Sequence, residues 1–166
     1  MRGRIVVLLA LMQVVTLGLA AQQSDVLLYL PFDGSVQPRI SAEGTEVTAT
    51  GPAEFAAGKL GQALRVGDGA ASLELPAKGN VLAERGTVEL WVCPLDWKGN
   101  DEKFHEFFAT SRTGWILVYK YMSPGSLLFL LADDRANSSW LTARADIGDW
   151  EPGQWHHLAA TWRACG

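Results

Sequence analysis

Short apolar runs in which every second residue is polar recur along this chain, and turn residues separate them. In 87–92, Val88, Leu90 and Val92 share one face of an extended segment; Glu89, Trp91 and the following Cys93 share the other. Pro94 ends that run. Near the C-terminus a Pro152-Gly153 turn feeds a second clear run. There Leu158, Ala160 and Trp162 alternate with His157, Ala159 and Thr161, and the first set reads as the core-facing side. Further strands are expected at 26–30, 46–50, 63–66, 71–75, 104–110, 114–121, 126–131 and 140–145. Asp33-Gly34, Gly58-Lys59-Leu60-Gly61 and Gly67-Asp68-Gly69 supply turns between them. No amphipathic helix of useful length follows residue 21. Many short strands without strand–helix alternation predict an all-β antiparallel β-sandwich.

The first 21 residues follow another pattern. Arg2 and Arg4 precede a run from Ile5 to Leu19 in which Gln13 and Thr16 are the polar interruptions. Gly18-Leu19-Ala20 then places small residues where a signal peptidase reads, so 1–21 reads as a signal peptide cleaved after Ala20 or Ala21. The apolar run is roughly 15 residues, short of the ~20 that span a bilayer, so no membrane span is expected after cleavage. The expected location is secreted, periplasmic or extracellular. Net charge is −4, and loss of Arg2 and Arg4 takes it to −6. An acidic chain without a basic run is a poor nucleic-acid binder. Two cysteines, Cys93 and Cys165, are too few for a disulfide scaffold, so stability must come from packing.

Four segments, taken in order, carry a resemblance. They are Leu28-Tyr29-Leu30-Pro31-Phe32-Asp33-Gly34, Gly58-Lys59-Leu60-Gly61-Gln62-Ala63-Leu64, Gly86-Thr87-Val88-Glu89-Leu90-Trp91-Val92 and Gly153-Gln154-Trp155-His156-His157-Leu158-Ala159-Ala160-Thr161-Trp162. Together they resemble a concanavalin A-like jelly roll of the laminin G/pentraxin type, over 22–166. The resemblance implies two stacked antiparallel sheets and a binding role, toward a glycan or glycoprotein, within a longer chain with other domains. It also implies a sandwich that is C-terminally incomplete, with roughly 40–60 further residues expected to close it and the 26–30 strand losing a neighbour. It further implies that Glu89 lies opposite Ala159 on antiparallel neighbours. Cys93 would then sit near Trp155, on the order of 30 Å from Cys165 at ~3.3 Å per residue. A disulfide needs Cα atoms within about 7 Å, so no Cys93–Cys165 bond is expected.

Candidate chemistry is sparse. His156 and His157 are adjacent, so a strand sends them to opposite faces and they cannot chelate one metal together. His105-Glu106 lacks the second histidine of a zinc-protease motif and reads as a loop-to-strand boundary. Glycosidases on this jelly roll place carboxylates two apart on one strand. Glu89 stands alone and Asp133-Asp134 diverge, so no catalytic pair is expected and the chain reads as non-catalytic. In 114–121, Trp115, Leu117, Tyr119 and Tyr121 share a face, which is either core packing or a platform for sugar rings. Core packing is the ordinary outcome for such a stripe. Trp97 and Trp140, in or near loops, are further ligand candidates. Calcium is a candidate cofactor. Asp33, Asp68, Asp133 and Asp134 sit in turns and offer carboxylates, though turn formation explains each equally well. Asn137-Ser138-Ser139 fits the N-glycosylation pattern.

The leading functional expectation is thus a secreted binding module for carbohydrate or glycoprotein. An accessory domain of a larger glycoside hydrolase and an adhesion sandwich without a small ligand are the alternatives.

Overall fold

The computed structural model describes residues 25–110, 115–132 and 140–163. The expected signal peptide, Asp133, Asp134, the Asn137 site and Cys165 lie outside the described residues.

Ten strands occur and no helix among the described residues. They are β1 (Thr48–Thr50), β2 (Phe55–Ala57), β3 (Gln62–Leu64), β4 (Ser72–Glu74), β5 (Arg85–Val92), β6 (His105–Ala109), β7 (Trp115–Lys120), β8 (Ser126–Ala132), β9 (Leu141–Asp146) and β10 (His156–Arg163). All strand pairings are antiparallel: three two-stranded ribbons, β1–β4, β2–β3 and β5–β10, and a four-stranded sheet β6-β7-β8-β9. The fold is all-strand with antiparallel sheets, as expected, and it is not closed into a barrel.

The alternation in the sequence sets the layers. Along β5 every second residue is exposed, and β10 follows the same rhythm. Val88, Leu90 and Val92 from β5 and Leu158 and Ala160 from β10 face inward, where they meet Val118, Phe108, Leu127 and Phe129 of the sheet. Ala159 pairs with Glu89, as the resemblance implied, and His156 pairs with Val92, so Cys93 follows toward Trp155. Cys93 carries a free thiol. A bulge between Glu106 and Phe108 inserts an extra residue in β6, and both Phe107 and Phe108 reach the core.

Rings occupy the core beside β6 and β10. Trp97 stacks on His105 at 4.3 Å, approaches Phe107 at 6.0 Å and lies 6.2 Å from Trp150. Trp150 in turn stacks on His156 at 3.9 Å and 6°. The loop from Leu95 to Lys103, polar in sequence, therefore drives one indole inward. A buried lysine pins the same loop. Lys120 Nζ pairs with Asp101 Oδ1 at 2.8 Å and donates to the carbonyls of Asp101, Lys103 and Tyr121.

Two expectations change. Segment 26–30 is not a strand; Tyr29 alone forms a bridge, to Ile40. The chain turns directly after it, at Phe32, whose φ of 60° is left-handed. No partner strand runs alongside among the described residues, and an unpartnered ladder has nothing to hold it extended. Conversely, β2 was not expected. Its Phe55-Ala56-Ala57 lacks β-branched residues and forms through pairing with β3 across the 58–61 turn.

Candidate functional site

The register decides which face the 114–121 stripe occupies. Val118 is in the core, so Leu117 and Tyr119 lie on the opposite, outward side of the sheet. On that side Tyr119 and Leu130 are nonetheless buried, so packing holds part of the stripe. Trp115 pairs through its backbone with Ala132.

Outward positions of four strands align in one cross-strand row: Glu106 opposite Tyr119, Tyr119 opposite Leu128, and Leu128 opposite Arg144. An exposed carboxylate flanks one end of an aromatic and aliphatic row, and an exposed guanidinium flanks the other. Tyr119 is itself buried, with Phe104 at 5.2 Å and Tyr121 edge-on at 6.3 Å. Burial pushes the Tyr119 phenol up, helped by Tyr121. The rings that reach solvent are Phe104, 47% exposed, and Tyr121, 41% exposed, and Met122, next in the chain, is exposed too. Phe104 comes from the loop before β6, a position that alternation alone did not mark as a partner for β7.

The other candidates separate. Trp97, expected as a loop ligand residue, is a core residue because its ring is committed to His105, Phe107 and Trp150. Trp140 is 64% exposed just before β9. Asp33 Oδ1 accepts from the Gln62 N–H at 3.0 Å, and its other oxygen lies 3.9 Å from Arg39. Gly61, at φ 61°, leaves room for that carboxylate; a Cβ there would collide with Asp33 Oδ1. Asp33 thus joins the Asp33-Gly34 turn to the 58–61 turn. Asp68 sits exposed between Gly67 and Gly69, remote in role from Asp33. Among the described residues, no three His, Cys, Asp or Glu side chains converge as a metal site would require.

The two adjacent histidines face opposite ways, as strand geometry demands. His156 lies against Trp150, and burial lowers its affinity for a proton. His157 lies outward, 5.0 Å from Trp91 and 4.0 Å from the Glu89 carboxylate. Burial raises the Cys93 thiol pKa more than the Gly153 backbone contact lowers it.

A family model of the Laminin G type, described as concanavalin A-like lectin/glucanases superfamily, matches residues 67–166. The chain belongs to that superfamily. The matched stretch holds both long ribbon strands and the whole four-stranded sheet, whereas the motifs at 28–34 and 58–64 precede it. Comparison with curated proteins and with solved structures gives no match. In general terms, this laminin G-like superfamily member is a binding module. Among its described residues no helix is long and apolar enough to cross a membrane.

Proposed function

We propose that this chain is a secreted, non-catalytic module that binds carbohydrate, free or on a glycoprotein, through the outward face of the four-stranded sheet. The observation that carries this reading is the exposed Phe104–Tyr121 pair beside a row that ends in Glu106 and Arg144. Aromatic rings suit the C–H face of a pyranose, and a carboxylate with a guanidinium can fix the ring hydroxyls. The charged, apolar and small-residue pattern of 1–21 supports export.

A glycan array probed with the protein, with and without a calcium chelator, tests the reading. At least one glycan class should be retained. Tyr121→Ala and Phe104→Ala should each weaken it roughly five- to tenfold, matching about 1–1.4 kcal/mol per stacked ring. No retained glycan, or unaltered retention by both variants, would sink the proposal.

A further inference from the structure

The two edges of the four-stranded sheet are built differently. β6 carries the bulge between Glu106 and Phe108, a common guard against edge-to-edge pairing. β9 has no such guard. It runs in unbroken register with β8 from Leu141 to Asp146 and contains neither proline nor lysine. Every residue of β9 is exposed, even Ala143 and Ala145, which lie on the core side of the sheet opposite Phe129 and Leu127. Ile147 donates its N–H to the Gly125 carbonyl at 3.0 Å, and the Ser126 carbonyl accepts from Tyr121 on the β7 side. Antiparallel ladders alternate, so the backbone groups of Ala143 and Ala145 point toward β8 and those of Thr142, Arg144 and Asp146 point away from it. Among the described residues no strand pairs with β9 on that side. The charges of the strand, Arg144 and Asp146, stand two residues apart on one face. Among the described residues the Arg144 guanidinium has no ion pair.

We propose that β9 docks a second copy of this chain, edge to edge and antiparallel, with Arg144 of each copy opposite Asp146 of the other. The charges select this register. With Ala145 on the two-fold axis, each copy supplies the guanidinium of one cross-strand ion pair and the carboxylate of the next. Moving the axis to Arg144 would set the two guanidinium groups against each other. Moving it to Ala143 would set Arg144 opposite Thr142 and leave both charges without a counter-charge. The selected register pairs residues whose backbone groups point away from β8, so each Arg144–Asp146 pair exchanges both main-chain hydrogen bonds. Ala145 then meets its own copy in the closer, non-hydrogen-bonded pairing, where a small side chain fits. A second copy suits this edge because one short strand holds both members of the pair, and two-fold symmetry uses each of them. The pairing joins two four-stranded sheets into one continuous sheet.

Sedimentation equilibrium of the full chain tests this, at loading concentrations from about 10 to 500 μM, the range for a contact smaller than a standard interface. A monomer–dimer equilibrium is expected, and it should weaken as salt rises. Arg144→Glu, which sets like charges opposite in both pairs, should weaken association about tenfold. Asp146→Asn keeps an oxygen to accept from the Gly148 N–H and should weaken it about threefold. The double variant Arg144→Glu/Asp146→Lys restores opposite charges in the same register and should associate to within about threefold of wild type. Arg144 is exposed, so Arg144→Glu should keep the wild-type melting temperature. The measurement uses no glycan, so its outcome is independent of the sheet-face reading. The proposal is overturned if the wild type is monomeric throughout, or if Arg144→Glu and Asp146→Asn both associate like wild type, as they would were another surface or segment responsible. It is also overturned if the double variant melts like wild type yet associates no more tightly than Arg144→Glu.

Discussion

Lys120 is fully buried, yet its ammonium meets four oxygens: one carboxylate and three backbone carbonyls. The carbonyls of Asp101 and Lys103 belong to the loop before β6, so a side chain on β7 holds that loop in place. Replacing it with an apolar residue of similar length leaves Asp101 and those carbonyls without their donor. Lys120→Met should therefore cost about 3–5 kcal/mol, the usual cost of breaking a buried pair from one side. A urea denaturation midpoint unchanged in Lys120→Met would contradict this account. Nothing in the sequence marks Lys120 as different from Lys59 or Lys98. Alternation puts it on the inward face with Val118, but only the folded loop supplies its oxygens. The same holds for Trp97, whose loop position suggested a ligand-facing ring while the fold buried it.

At the scale of elements, the β5–β10 ribbon was the most legible part, because two long runs with strict alternation fix which face is buried and the family resemblance implied their register. The register leaves a close approach at its end. Trp162 pairs with Gly86, and a Cβ on Gly86 would meet the Trp162 ring at 2.5 Å. That indole also donates from Nε1 to the Leu82 carbonyl at 3.2 Å and lies 6.1 Å from Phe129 across the sandwich. Gly86→Ala should push the ring outward and cost about 1–3 kcal/mol. The measurement is a thermal melt with tryptophan emission; an unchanged melt and no red shift would show that the ring has other room. The 26–30 segment was the least legible for a complementary reason. Its residues have strand propensity, but a strand needs a neighbour, and propensity is blind to one. The aromatic stripe of β7 posed a related difficulty. Its period was visible, but which of two faces meets the other layer depends on what packs there.

For the molecule as a whole, two imidazoles bracket the Trp97–Trp150 pair of the core, each stacked on one indole. Burial is the main cause lowering the pKa of both His105 and His156, partly opposed by Asp101 near the first and Asp149 near the second. Among the described residues neither Nε2 has a hydrogen-bond partner. The unfolded chain takes up these protons near pH 6.5 while the folded chain resists. Stability should thus be full above about pH 6.5 and fall as the pH drops below it. Asp101 behaves separately: burial alone would raise its pKa, but Lys120 holds it low, so its contribution persists until far more acidic pH. Urea midpoints at pH 7.5 and 5.5 should differ, and His156→Phe, which keeps the stack on Trp150, should shrink the difference by about half. Equal midpoints in the wild type would rule the account out. By itself the sequence determined the all-strand sandwich and the opposite facing of His156 and His157, which follow from a two-residue period, while the antiparallel pairing of β5 with β10 was implied by the resemblance its motifs carry. Tertiary structure alone decided that Tyr119 and Tyr121 lie on the side of the sheet away from Val118 and that Trp97 lies inward. Those outcomes depend on which layers and loops pack together, and that information is spread over residues far apart in the chain.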